Sequence, residues 1–138
     1  MSEATLEGGC LCGALRFRVS GEARHRAYCH CRSCRLATGA PFVAWATFPA
    51  ERFELLRGEL KHVRSSEKVE RGFCASCGTS ISYVHDARPR QIDVSSATLD
   101  DATAIRPECH IWVSDKLPWV EIGDGLPQFA EWKTKASG

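Results

Sequence analysis

The sequence lacks any run of about 18 uninterrupted apolar residues, which leaves it without a helical membrane span. Its first residues, Met1-Ser2-Glu3-Ala4-Thr5-Leu6-Glu7, have neither the basic segment nor the apolar stretch of a secretory leader. A reducing cytoplasm is therefore the expected location. A dominant charge is also missing: the formal net charge is +1, so there is no electrostatic footprint for nucleic acid, and none is expected as a partner. We find no internal repeat, low-complexity tract or long amphipathic helical pattern in the 138 residues, and expect one continuous domain over residues 1–138.

Cysteine, by contrast, is abundant. Eight cysteines in so short a chain would suggest disulfides in a secreted protein, but in a reducing compartment close spacing points to metal ligands or catalytic thiols. They fall into clusters of two, three and two, at Cys10 and Cys12, at Cys29, Cys31 and Cys34, and at Cys74 and Cys77, with Cys109 apart. One partition suits zinc chemistry best. Cys10, Cys12, Cys74 and Cys77 close a structural site, and Cys29, Cys31 and Cys34 hold a second zinc whose fourth position stays open, as catalytic zinc sites require. The competing readings are reduced structural cysteines, a redox pair at Cys74 and Cys77, or a second closed site completed by His30, His110 or Cys109. His30 lies between two candidate ligands, so its side chain is expected to point elsewhere, and Cys109 reads as a buried small apolar residue. Arg32 and Arg35 beside the trio would lower thiol pKa values and attract an anion, or simply lie solvated on the surface.

Between the clusters the pattern is that of strands. Ala14 to Val19 alternates apolar and basic residues with period two, Phe42 to Phe48 is apolar on both faces and reads as a central strand, and Phe53–Leu56, Leu60–Val63, Val69–Phe73, Thr79–Val84, Gln91–Ser95 and His110–Val113 read as further short strands. Arg35 to Thr38 reads as one helical turn closed by Gly39. The expected class is mainly β, with a sandwich, barrel or folded-sheet architecture.

Taken in order, Gly9-Cys10-Leu11-Cys12-Gly13, Cys29-His30-Cys31-Arg32-Ser33-Cys34 with Ala37-Thr38-Gly39-Ala40-Pro41-Phe42, and Phe73-Cys74-Ala75-Ser76-Cys77-Gly78 resemble the successive motifs of the glutathione-dependent formaldehyde-activating enzyme family, which also includes the centromere protein V group. Pro107, His110-Ile111-Trp112, Trp119 and Asp124-Gly125-Leu126-Pro127-Gln128-Phe129 resemble its closing segment. The resemblance implies a β-tent fold of stacked antiparallel sheets with zinc-binding knuckles. It also implies a structural zinc on Cys10, Cys12, Cys74 and Cys77 and a catalytic zinc on Cys29, Cys31 and Cys34, in agreement with the partition drawn from spacing. The implied activity joins glutathione to formaldehyde as S-hydroxymethylglutathione, a carbon–sulfur lyase reaction in reverse, with a small thiol as the partner.

Three thiolates make a zinc ion a weaker Lewis acid than neutral histidines do, which favours soft sulfur substrates over water activation. The alternatives are a lyase or hydrolase for another thiol conjugate and a non-catalytic zinc module that binds a protein. Members of the centromere group carry basic extensions according to the resemblance; this sequence shows none, so a small enzyme is expected. Trp45, Trp112 and Trp119 are candidates to line a pocket, although large aromatics more often fill the core. Assembly into a homo-oligomer is left open.

Overall fold

A computed structural model describes residues 4–132, so the ends of the expected domain, 1–3 and 133–138, lie outside the described residues. The fold is mainly β and is built from two sheets. Strands β1 (Thr5–Gly9), β2 (Arg16–Ser20) and β5 (Phe53–Arg57) form an antiparallel three-stranded sheet in the order β1-β2-β5. The seven-stranded sheet contains β3 (His25–Cys29), β4 (Val43–Pro49), β6 (Leu60–Ser66), β7 (Val69–Cys74), β8 (Ser80–His85), β9 (Gln91–Ser95) and β10 (Cys109–Ile111). Its order is β10-β3-β4-β9-β8-β7-β6. Among the described residues no helix is long and apolar enough to cross a membrane.

Period-two alternation sets what each face does. In β2, Phe17 and Val19 are buried, while Arg16 and Arg18 point outward to Asp100, Glu7 and Glu54. The two apolar side chains meet Ala46 and Phe48 of β4, Ile92 and Val94 of β9, and Ile81, which lies at the bulge where the β7–β8 register shifts. This is the core between the sheets. The opposite face of β4 carries Val43 and Trp45, which pack with Cys29 and Cys34 in a second apolar cluster. A strand flanked by β3 and β9, with the core on one face and the second cluster on the other, is apolar at nearly every position, which explains the run from Phe42 to Phe48, interrupted only by Thr47.

Gly58 marks the crossing from one sheet to the other. Its φ is +82°, and a Cβ there would lie 2.2 Å from the Ala14 carbonyl oxygen, so only glycine lets β5 leave the small sheet and reach β6.

Several local expectations change. β1 and β3 were not foreseen, because Thr5-Leu6-Glu7-Gly8-Gly9 contains two glycines and His25-Arg26-Ala27-Tyr28-Cys29 lacks a clean apolar phase; pairing with β2 and β4 supplies what local propensity does not. β10 runs parallel to β3, so the sheet is mixed rather than wholly antiparallel. β10 also stops at Ile111 instead of Val113, because Trp112 adopts a left-handed conformation with φ of 57°. β6 continues through Ser66, three residues past the Val63 at which it was expected to end.

Candidate functional site

The N-terminal and third cysteine clusters meet at the edge of the core. Turns closed by Gly13 N–H to the Cys10 carbonyl and by Gly78 N–H to the Cys74 carbonyl bring the Sγ atoms of Cys10, Cys12, Cys74 and Cys77 within 4.8 Å of one another. The Cys10–Cys12 and Cys12–Cys74 separations are 3.6 and 3.8 Å. Those are far too long for a disulfide. They match the edge of a tetrahedron of sulfurs about 2.3 Å from a central zinc, which is about 3.8 Å. The N–H groups of Leu15, Ser76 and Cys77 reach sulfur, and those of Gly13 and Gly78 close the turns. Cys77 also lies 3.1 Å from the Thr79 hydroxyl, whose hydrogen bond lowers its thiol pKa to about 5.

The second group forms where β3 gives way to α1 (Arg32–Thr38), a helix longer than the single turn expected. Cys29 ends the strand, Cys31 is the helix N-cap and accepts from Cys34 N–H at 3.2 Å, and Cys34 lies in the first turn. Their three sulfurs also lie within 4.8 Å of one another, with no fourth histidine, cysteine or carboxylate in the group among the described residues. Gly39, with φ of 69°, ends the helix as expected.

Neither histidine joins the sulfurs. His30 is fully buried, and its Nε2 lies 2.9 Å from Nδ1 of His110, whose own Nε2 lies 2.7 Å from Asp124 Oδ2. Because the Asp124 carboxylate accepts from His110 Nε2–H, His110 Nδ1 is left to accept from His30 Nε2–H. Burial, followed by the nearby His110 and Lys116, pushes the His30 pKa down to about 4 and keeps the ring neutral. The relay ties the closing segment to the cysteine loop, and Pro127 to Phe129 hydrogen-bonds along His110 on the same side. Cys109 is buried, as expected, and lines the pocket from β10 without entering the sulfur trio.

The trio opens into a pocket of about 670 Å³ on the face of the large sheet away from the core. Trp45, Trp112 and Arg32 line it; Arg35 does not, and Trp119 is outside it and 67% exposed. Sequence reasoning missed Arg71 of β7, which is only 4% exposed. Its Nη1 and Nη2 lie 3.8 and 3.7 Å from Cys34 Sγ, its Nε donates to Ser65 Oγ at 2.9 Å, and its guanidinium lies 5.0 Å from the centre of the Tyr83 ring. The signal was present, since Val69, Arg71 and Phe73 share one phase of the strand, and an arginine on a buried phase needs an anionic partner.

The electrostatics of the trio suit a cation. Hydrogen bonds from Cys29 and Cys31, followed by the charge of Arg71, hold the Cys34 thiol far below its usual range. Cys31 and Cys34, together with burial, push Cys29 strongly up. One thiolate is easy to form and a second is not, so three in contact require a positive ion among them. Both cysteine groups could therefore hold metal ions.

Residues 5–115 match the sequence model of a family described as glutathione-dependent formaldehyde-activating enzyme. The chain is 31% identical over 129 residues to a putative glutathione-dependent formaldehyde-activating enzyme of Halomonas elongata, covering 85% of this chain and 80% of that protein. It is 29% identical over 114 residues to an uncharacterized lyase of Schizosaccharomyces pombe, covering 75% of this chain and 82% of that protein. The crystal structure of a Rhodobacter sphaeroides protein superposes with a TM-score of 0.58 over 90% of this chain and 99% of that one at 21% identity, a likeness of fold.

Proposed function

This chain belongs to the glutathione-dependent formaldehyde-activating enzyme family, and we propose that it is a cytoplasmic, two-zinc carbon–sulfur lyase, one domain over residues 1–138, that interconverts glutathione and formaldehyde with S-hydroxymethylglutathione. One observation carries the reading: Cys29, Cys31 and Cys34, whose sulfurs lie together, line a pocket large enough for a tripeptide-sized thiol. Cys10, Cys12, Cys74 and Cys77 hold a structural zinc that staples β1 and β2 to the β7–β8 turn. Cys29, Cys31 and Cys34 hold the catalytic zinc and leave one position for the substrate.

Zinc held by that trio would supply positive charge that favours the thiolate form of a soft sulfur ligand. The protein supplies the rest. Three thiolates and a divalent ion leave a net charge of −1, which the buried Arg71 guanidinium balances against Cys34. Trp45 and Tyr83 wall the reacting end, and Arg32 and Arg88 line the same pocket with charge complementary to the carboxylates of glutathione. The relay of His30, His110 and Asp124 fixes the loop that carries Cys29 and Cys31.

The test is the rate of exchange between free formaldehyde and S-hydroxymethylglutathione, read by exchange NMR above the uncatalysed background. Cys31→Ser lowers that rate to the background while leaving the strand signal in circular dichroism unchanged. A Cys31→Ser protein as active as the parent refutes the proposal.

A further inference from the structure

The floor of the pocket carries a row of polar side chains, of which the cysteine chemistry explains only Arg71 at one end. His25 of β3 is paired with Thr47 of β4, Thr47 with Asp93 of β9, Asp93 with Tyr83 of β8, and Tyr83 with Arg71 of β7. Residues directly opposite on neighbouring strands share a face, and all five line the pocket. The row runs from an exposed histidine at the rim to a buried arginine on Cys34. At its middle the Thr47 hydroxyl donates to Asp93 Oδ1. Ala46 and Val94, one residue along the strands from Thr47 and Asp93, point into the apolar core, so the polar row belongs to the pocket and not to folding of the core.

We infer that Asp93 is the proton-transfer group of the pocket, taking the proton from the incoming thiol and returning it to the oxygen of the aldehyde. The inference rests on the thiol–aldehyde reading above. Arg71 and Asp93 are two strand spacings apart, roughly 10 Å between backbones, with Tyr83 between them, and we place the reacting carbon over that ring, between the trio and the Asp93 carboxylate. The Asp93 carboxylate accepts the S–H proton as the sulfur electron pair forms the C–S bond. The carbonyl π pair moves to oxygen, and that oxygen takes the proton from the Asp93 carboxyl. The residue ends as the carboxylate with which it began, and cleavage of the adduct runs the same steps backward. A group that both takes and gives a proton works best when its pKa is near the working pH. Burial raises the Asp93 carboxyl pKa, as does the Cys34 thiolate beyond Tyr83; the Thr47 hydroxyl, Arg88 and His25 oppose the rise. His25 at the rim gives the row an outlet to solvent.

Because the working form in synthesis is the carboxylate, exchange rises with pH through the Asp93 pKa. Asp93→Asn lowers the exchange kcat about 100-fold, with the KM for glutathione within threefold of the parent and two zinc ions per chain retained in native mass spectrometry. Asp93→Glu restores part of the rate. Thr47→Val removes the donor that stabilises the carboxylate and moves the acid limb of the profile upward by about one pH unit. In the infrared, the parent shows a protonated carboxyl band, lost in Asp93→Asn, that persists above the pH at which ordinary carboxyls have ionised. If Asp93→Asn does not fold, the Thr47→Val profile decides. An active parent with an equally active Asp93→Asn, or an acid limb unmoved in Thr47→Val, overturns the role of Asp93 alone. A parent that does not speed exchange at all overturns the thiol–aldehyde reading and this role with it.

Discussion

Replacing Arg71 by methionine keeps an unbranched apolar stem on the pocket face and removes the guanidinium that lies 3.7 Å from Cys34 Sγ. With a divalent ion about 2.3 Å beyond the sulfur, the centre of the net −1 cluster would lie roughly 6 Å from the guanidinium. Coulomb's law at an effective dielectric of about 20 then gives ~3 kcal/mol. Without metal the Cys34 thiolate alone already gives the trio a charge of −1, so the attraction is lost from the folded state with or without zinc and is read as stability, not as zinc affinity. The assay is urea unfolding at neutral pH. Arg71→Met lowers the unfolding free energy by about 3 kcal/mol. Arg71→Lys falls between it and the parent, since it keeps a charge but loses the fork that reaches Cys34 with two nitrogens. A stability within about 1 kcal/mol of the parent would refute the view that Arg71 balances the charge of the trio.

Two further predictions concern the frame around the site. Gly58→Ala destabilises the fold by about 3 kcal/mol or more, because it adds a backbone clash to left-handed strain; Gly21→Ala, with the same φ of +82° and open space around it, costs about 1 kcal/mol, and equal costs in urea titrations would contradict the argument. The hydrogen bond and charge of Arg64 hold the Asp86 carboxyl below its usual range, so its contribution to stability is present above the unfolded pKa near 4 and is lost as the pH falls through the lower folded value. The Tm gap between the parent and Asp86→Asn is therefore full at about pH 6 and closes toward about pH 2; a gap independent of pH would contradict the assignment.

The grouping of the cysteines was legible in the sequence because candidate metal ligands are recognised by type and spacing. The turns at Cys10–Cys12 and Cys74–Cys77 are local, and the strand-to-helix corner that gathers Cys29, Cys31 and Cys34 spans only six residues. The central strand was legible too, because burial on both faces leaves an apolar run from Phe42 to Phe48 interrupted only by Thr47. What was hidden depends on residues far apart in the chain. Arg71 meets Cys34 across 37 positions and His30 meets His110 across 80, and the row from His25 to Arg71 exists only through the register of five strands. β1 and β3 escaped notice for the same reason: their partners, more than their own residues, make them strands. The parallel pairing of β10 with β3 depends on where residues 112–129 carry the chain, which strand periodicity does not encode.

One cysteine group is proposed as a closed staple and the other as an open site that receives a thiol, and native mass spectrometry of the folded chain, with and without glutathione, separates the two. Two zinc ions per chain are expected, with glutathione retained only when both are bound and lost together with one zinc in Cys31→Ser. A single zinc that survives Cys31→Ser, with no glutathione retained by either protein, would rule out the open site.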